Sequence, residues 1–290
     1  MKQIGTLYVV ATPIGNLGDI THRALETLKI VNMIAAEDTR HTAGLLSHFG
    51  IVNKLIAVHE HNERQSAEKL LIQLNAGDNI ALVTDAGTPG ISDPGAVVVD
   101  FVRKAGVKVV PIPGVSAVIA ALSVSGITQN CFLFYGFLPA SGAARRKTLE
   151  SLKTQTQTLV FYEAPHRIVE SIIDMTNVLG GERRITFARE ITKTFETIYS
   201  CVLNQAEAWL TSDTNQQRGE FVLLVEAEAA RPAEAFSEET IRILKLLLAD
   251  LPLKQAVKLA AEITANKKND LYELALTFKN SVADKVKIQK

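Results

Sequence analysis

The chain has no excess of either charge: 31 Lys and Arg stand against 31 Asp and Glu, so no net field draws it to nucleic acid, and any nucleic-acid contact must be a local patch. It has little cysteine. Cys131 and Cys201 lie far apart without Cys-x-x-Cys spacing, which favours two buried thiols over a disulfide or a zinc site. Long apolar runs are missing at the start. Residues 1–10 carry Lys2 and a short apolar stretch that stops at Pro13 and Gly15, too short for a signal peptide or a membrane span, so a cytoplasmic protein is expected. Two nucleotide signatures are absent as well: no Gly-x-Gly-x-x-Gly follows the first apolar strand, and no Gly-rich loop ends in the Lys of a P-loop. No repeat or low-complexity tract occurs. What is present is a globular balance, 47% hydrophobic and 21% charged, with material for a sizeable core.

The length of 290 residues suggests about two domains with room for a small third. Apolar runs with strand character at 5–11, 33–36, 80–83 and 108–112 alternate with helical periods at 21–29, 67–74 and 96–105. That βα rhythm implies a largely parallel sheet. After a small-residue helix ending near Ser123, a fresh set of strands starts at 132–137, which places a boundary near Gly126. The second set continues through 158–162, a helical 168–179, then 184–188, 197–203 and 221–227, where β-branched and aromatic residues point to a mixed sheet. Residues 229–233 read as a linker, and Ser237 beyond them is an expected N-cap, followed by helical patterns that include 253–264 and 269–278. The expected fold is α/β: a first domain (1–125) with a mainly parallel sheet, a second (126–230) with a mixed sheet, and a small all-helical domain (231–290).

Residues 84–95, Thr-Asp-Ala-Gly-Thr-Pro-Gly-Ile-Ser-Asp-Pro-Gly, directly follow the apolar strand 80–83 and hold no Lys or Arg. Their glycines and prolines let backbone approach a ligand closely and fix its peptide groups. Phosphate cradles usually add a cation, whereas Asp85 and Asp93 repel a pyrophosphate, so the loop suits a cofactor that is uncharged or cationic where it touches. Two other strand-end loops carry similar signals, residues 11–19 after the first strand and 111–117, where Ser116 and Ala117 begin a helix and present free N–H groups. One such loop alone is more often a plain βα turn. Three gathered at one edge of a parallel sheet favour a ligand site.

These segments resemble the tetrapyrrole methylase superfamily of S-adenosylmethionine enzymes, and within it the small-subunit ribosomal RNA 2′-O-ribose cytidine methyltransferases. The resemblance covers nearly the whole chain. It rests on Thr12-Pro13-Ile14-Gly15-Asn16-Leu17, Glu37-Asp38-Thr39-Arg40, Asp85-Ala86-Gly87-Thr88-Pro89-Gly90, Pro113-Gly114-Val115-Ser116-Ala117, Tyr162-Glu163-Ala164-Pro165-His166-Arg167 and Ala188-Arg189-Glu190. The first, third and fourth recur across the superfamily; the others point to its RNA-modifying branch, as do terminal helices that resemble a helix-turn-helix appendage.

The resemblance implies S-adenosylmethionine as cofactor, folded in a cleft between the two α/β domains. Pro13, Ile14, Gly15, Asp85, Ala86, Gly87, Thr88, Ser116 and Ala117 would supply one wall, with Phe161 and Tyr162 facing them, although strand alternation buries at least one of that pair. Removal of the acceptor hydroxyl's proton calls for a base. Glu163 is the candidate and His166 the alternative, while Glu163 as a structural cap paired with Arg167 remains an equal reading. Arg189 is a candidate to hold a phosphate near the reaction and Glu190 to hold Arg189, with an exposed salt bridge as the plainer reading.

RNA needs cations. Arg145, Arg146 and Lys147, after the small-residue stretch 139–144 read as a loop able to close over substrate, are the first candidates; Arg183-Arg184 and Lys267-Lys268 follow. Glu37, Asp38 and Arg40, and Arg167, are further candidate substrate contacts. No metal site is expected: His59 and His61 would share one strand face with Glu60 opposite, an incomplete ligand set. The expected partners are small-subunit ribosomal RNA, free or in the assembled subunit, and a second copy of the chain, since family members are generally dimers. The alternative reading is a methyltransferase acting on a tetrapyrrole or other small molecule, which would share the cofactor loops but need no helix-turn-helix appendage; a non-enzymatic nucleic-acid binder would have no use for three ligand loops.

Overall fold

In the computed structural model, which describes residues 4–59, 61–227 and 236–287, the chain opens with β1 (Thr6–Val10), α1 (His22–Ile30), β2 (Met33–Ala36), α2 (Thr39–His48), β3 (Leu55–Ala57), α3 (Glu63–Ala76), β4 (Ile80–Val83), α4 (Ala96–Lys104), β5 (Lys108–Ile112) and α5 (Ala117–Val124). The five strands form one parallel sheet in the order β3-β2-β4-β1-β5. β2 and β4 are apolar at every position, as strands buried on both faces must be. Met33, Ala35, Ile80 and Leu82 pack with α3 and α4 on one face; Ile34, Ala36, Ala81 and Val83 pack with α1 and α2 on the other. Because β4, β1 and β5 are adjacent and parallel, the loops leaving their carboxyl ends meet at one edge.

The second set comprises β6 (Phe132–Phe137), α6 (Gly142–Leu152), β7 (Thr158–Glu163), α7 (Ile168–Leu179), β8 (Arg184–Arg189), β9 (Thr197–Val202), α8 (Leu203–Ser212) and β10 (Phe221–Val225). Its sheet runs β6-β7-β10-β8-β9, parallel between β6 and β7 and antiparallel elsewhere. One face, with Phe161, Phe187 and Leu223, packs under α6, α7 and α8. The other, with Val160, Val222 and Leu224, receives Val118 and Ala121 of α5. The last helix of the first half therefore covers the second sheet, and residues to Ala227 form one compact unit. The remainder is a separate helical unit of α9 (Glu238–Asp250), α10 (Leu253–Thr264) and α11 (Lys268–Lys287), cored by Leu244, Val257, Ala260, Leu271 and Ala275. Ser237 caps α9, its Oγ accepting from Thr240 N at 3.1 Å. Among the described residues no helix is long and apolar enough to cross a membrane.

Several local expectations change. Residues 139–144 are not a free loop: α6 starts at Gly142, and Arg145 is buried between α6 and α7, its Nε donating to Asp174 Oδ2 at 2.7 Å with Glu170 at 3.4 Å. A guanidinium so enclosed has no face left for RNA. β9 stops at Val202, so Leu203 opens α8 instead of ending a strand. β3 ends at Ala57, which leaves His59 and His61 off any strand. Cys201 is buried, but Cys131 is exposed. Glu60 and the linker expected at 229–233 lie outside the described residues.

The Arg145–Asp174 pair sets a stability prediction. Removing one partner leaves a buried charge uncompensated, so Asp174→Ala should lower the unfolding free energy by about 3 kcal/mol in urea denaturation. Arg146, half-exposed and bonded to the same carboxylate at 3.0 Å, should cost less than about 1 kcal/mol as Arg146→Ala.

Candidate functional site

The three strand-end loops are stitched to one another by hydrogen bonds to backbone. Thr12 N donates to Gly87 O at 2.8 Å and Gly87 N to Thr12 O at 3.1 Å, a single antiparallel bridge between the loops after β1 and β4. Thr12 Oγ1 adds a bond to Thr84 O at 3.0 Å, and Thr88 Oγ1 donates to Val115 O at 3.2 Å, drawing in the loop after β5. Gly87 sits at φ +78°, a conformation side chains disfavour. Gly114 has no room for a side chain: a β-carbon there would come within 2.8 Å of Ala11 Cβ.

Against this wall lies a cavity of about 330 Å³, in the range of small-molecule sites. Ile14, Ala86, Gly87, Thr88, Ser116 and Ala117 line it from the first half. Tyr162, Ala188, Ile191 and Val222 line it from the second, with half-exposed Phe137 at 5.5 Å from the Tyr162 ring. Alternation along β7 decides the aromatic pair. Tyr162 faces the cavity, whereas Phe161 points the other way into the core and is fully buried, so it cannot touch a ligand. Pro13 and Asp85 do not line the cavity; Pro13 is buried, and Asp85 Oδ1 accepts from Asp38 N at 3.0 Å.

Carboxylates crowd one edge of the cavity. Glu37 Oε2 accepts from Thr84 Oγ1 and from Asp85 N at 3.3 Å. Asp93, half-buried in the cavity wall, has its pKa pushed up to about 6 by burial and then by Glu37 and Asp85. Burial, followed by the Asp93 charge, pushes the Tyr162 hydroxyl up to about 12.

Lys193 closes one side, a contact sequence reasoning missed because no motif marks it. A β-carbon on Gly15 would lie 2.5 Å from Lys193 Cγ, so the bare glycine holds the lysine stem. Its Nζ donates to Glu190 Oε1 at 2.8 Å and Glu220 Oε2 at 2.9 Å. Burial opposes its charge, but those bonds outweigh it and hold its pKa above the ordinary lysine value. Glu190 thus pairs with Lys193 and not with Arg189. Arg189 is buried, donating to Arg218 O at 3.1 Å and Thr197 Oγ1 at 3.4 Å.

The segment after β7 is a brace. Glu163 is 2% exposed, and both its oxygens are engaged: Oε1 accepts from Ala164 N at 2.8 Å and lies 3.1 Å from Arg167 Nε, while Oε2 accepts from Ser171 Oγ and from Arg167 Nη2 at 3.2 Å. Arg167 also donates to Leu138 O at 2.6 Å. This is the capped, ion-paired reading of Glu163, and it leaves Arg167 turned inward. His166 is exposed and does not line the cavity. Asp38 caps α2 and binds Arg40 at 2.6 Å, which holds its carboxyl well below the usual range; the Arg40 side chain is 90% exposed. Lys147 is exposed on α6. Among the described residues, no group of three or more His, Cys, Asp or Glu could hold a metal ion.

The pattern of the Tetrapyrrole (Corrin/Porphyrin) Methylases matches residues 6–207, and that of the RsmI C-terminal HTH domain matches residues 234–279. The chain is 54% identical over 273 residues to the ribosomal RNA small subunit methyltransferase I of Pseudomonas aeruginosa, covering 94% of this chain and 97% of that one. Its counterpart in Escherichia coli O157:H7 is 52% identical over 272 residues, 94% and 95% of the two chains. A solved uroporphyrin-III C-methyl transferase of Thermus thermophilus, in complex with S-adenyl homocysteine, aligns with a TM-score of 0.54 at 17% identity, over 77% of this chain and 97% of that one. The shared fold, the loop-lined cavity and the two matched segments have one conclusion: the chain belongs to the tetrapyrrole methylase family, in the group of ribosomal RNA small subunit methyltransferase I proteins.

Proposed function

We propose that this chain is an S-adenosylmethionine-dependent methyltransferase that methylates the 2′-hydroxyl of a cytidine ribose in small-subunit ribosomal RNA. The observation that carries the reading is identity above half with small-subunit ribosomal RNA methyltransferases along nearly the full chain, terminal helical unit included. That unit also disfavours the tetrapyrrole alternative, which has no use for it. In this reading residues 1–125 and 126–230 form the two walls of the donor cleft, and 231–290 position RNA. The protein works in the cytoplasm as a homodimer, on small-subunit ribosomal RNA, free or in the assembled subunit.

The cavity's chemistry fits the cofactor. Peptide groups of Ala86, Thr88, Ser116 and Ala117, those of Gly87 being taken up by Thr12, offer hydrogen bonds for its amino-acid end and ribose, and Ile14, Tyr162, Ile191 and Val222 offer apolar surface for its base. Among the described residues the one cation in the wall, Lys193, is shared by two carboxylates, so the site does not select a phosphate. When bound, the cofactor supplies a methyl carbon activated by a sulfonium. The protein's share is alignment and exclusion of water, for which the stitched loops give a fixed wall. Lys193, folded over Gly15, holds the second half against that wall. The Glu163–Arg167 brace positions the Tyr162–Pro165 turn in the cavity wall. Arg40, Arg146 and Lys147 are exposed cations able to meet RNA phosphates, each worth a share of a salt-dependent affinity.

Purified protein incubated with labelled S-adenosylmethionine and small ribosomal subunits should transfer label to ribosomal RNA. Label in a precorrin offered in parallel, and none in RNA, would remove the reading. Gly15→Val should weaken S-adenosylmethionine binding by about tenfold or more in calorimetry, because its side chain displaces the Lys193 stem from the cleft wall.

A further inference from the structure

With Glu163 fully engaged, the reaction needs another proton acceptor, and the cavity wall has few titratable groups: Asp93, Tyr162, Glu163, Lys193 and Glu220. Four of them are committed. Both Glu163 oxygens hold donors, Lys193 and Glu220 bind each other, and the Tyr162 hydroxyl keeps its proton far above neutral pH. Among the described residues, Asp93 alone of these has no hydrogen bond or ion pair. It stands in the turn 92–95, where Ser92 at φ +65° and Gly95 at φ +134° fix the backbone on either side. Gly95 N is itself held by Glu63 Oε1 at 2.8 Å, which also receives Val97 N at 2.9 Å and so pins the turn to the start of α4.

We propose that Asp93 is the catalytic base, its free carboxylate in the cavity wall accepting the proton of the acceptor hydroxyl; this rests on the methyltransferase reading above. As the acceptor oxygen bonds to the methyl carbon of the sulfonium donor, the carbon–sulfur bond breaks with its electron pair passing to sulfur, and the hydroxyl proton passes to Asp93. The groups bearing on Asp93 are Glu37 at the end of β2, Asp85 after β4 and Tyr162 on β7. Burial and the two carboxylates make Asp93 a stronger base than a solvated aspartate while leaving it ionised at neutral pH.

The test compares the full-length protein with its Asp93→Asn variant on the RNA the parent methylates. Folding is not at risk. Because the folded pKa of about 6 exceeds the unfolded value, ionised Asp93 costs stability as pH rises through that window, and Asn should melt no lower than the parent at pH about 7.5. At saturating cofactor, kcat should fall about 100-fold or more. The parent's rise in kcat as pH climbs through about 6 should vanish in the variant, while calorimetric Kd for S-adenosylmethionine stays within about threefold. Retention of kcat within about tenfold, survival of the acid limb, or a loss of cofactor affinity of about tenfold or more each overturns the assignment. A parent that binds cofactor but labels no RNA overturns the reading beneath it instead.

Discussion

The reciprocal hydrogen bonds between Thr12 and Gly87 are the constraint on which the rest of the site depends. They join the loops after β1 and β4, strands already neighbours in a parallel sheet, and they do so through backbone groups that a ligand loop would otherwise leave to solvent. Fixing those groups costs conformational entropy, which Gly87 raises further because it gives up more freedom than any other residue on folding. The recompense is a wall whose peptide groups are in place before any ligand arrives. Thr88 and Gly114 extend it to the loop after β5, the first by a hydrogen bond and the second by close contact with Ala11.

The second half is attached by two unlike devices. α5 belongs in sequence to the first sheet, but its apolar surface packs on the second, so the halves share a core and not only a surface. Lys193 over Gly15 works at the rim, where a long side chain lays its methylenes on bare backbone and keeps its charge between two carboxylates. The first is non-directional and holds the halves together. The second is directional and sets how they meet around the cavity.

What the sequence made legible follows from the range of the signals. The parallel sheet was readable because β2 and β4 are apolar throughout, and the ligand edge because Gly and Pro cluster after β1, β4 and β5. The helix at Gly142–Leu152 was not, because Gly142-Ala-Ala opens it with residues that read as a loop, and only Asp174, far along the chain, explains why Arg145 turns inward. Short-range pattern gave the Tyr162–Phe161 alternation but not its phase, which is set by the register of β7 against β10. Lys193 was invisible for the same reason: its partners Gly15 and Glu220 come from opposite ends of the unit.

The carboxylates of the cleft divide into those that are answered and those that are not. Glu163 and Glu190 each face a cation, Arg167 and Lys193. Asp93 has no such partner: its own burial, and then the neighbouring Glu37 and Asp85 carboxylates, oppose its charge. A fold under no functional demand would lose by keeping such a cluster, since replacing Asp93 with a neutral residue relieves the repulsion outright. Such a cluster beside a wall of fixed peptide groups is intelligible when the site works by meeting a positive donor and taking up a proton, because both events discharge the same strain. The acidic edge and the missing phosphate-binding cations are then two consequences of one choice of donor.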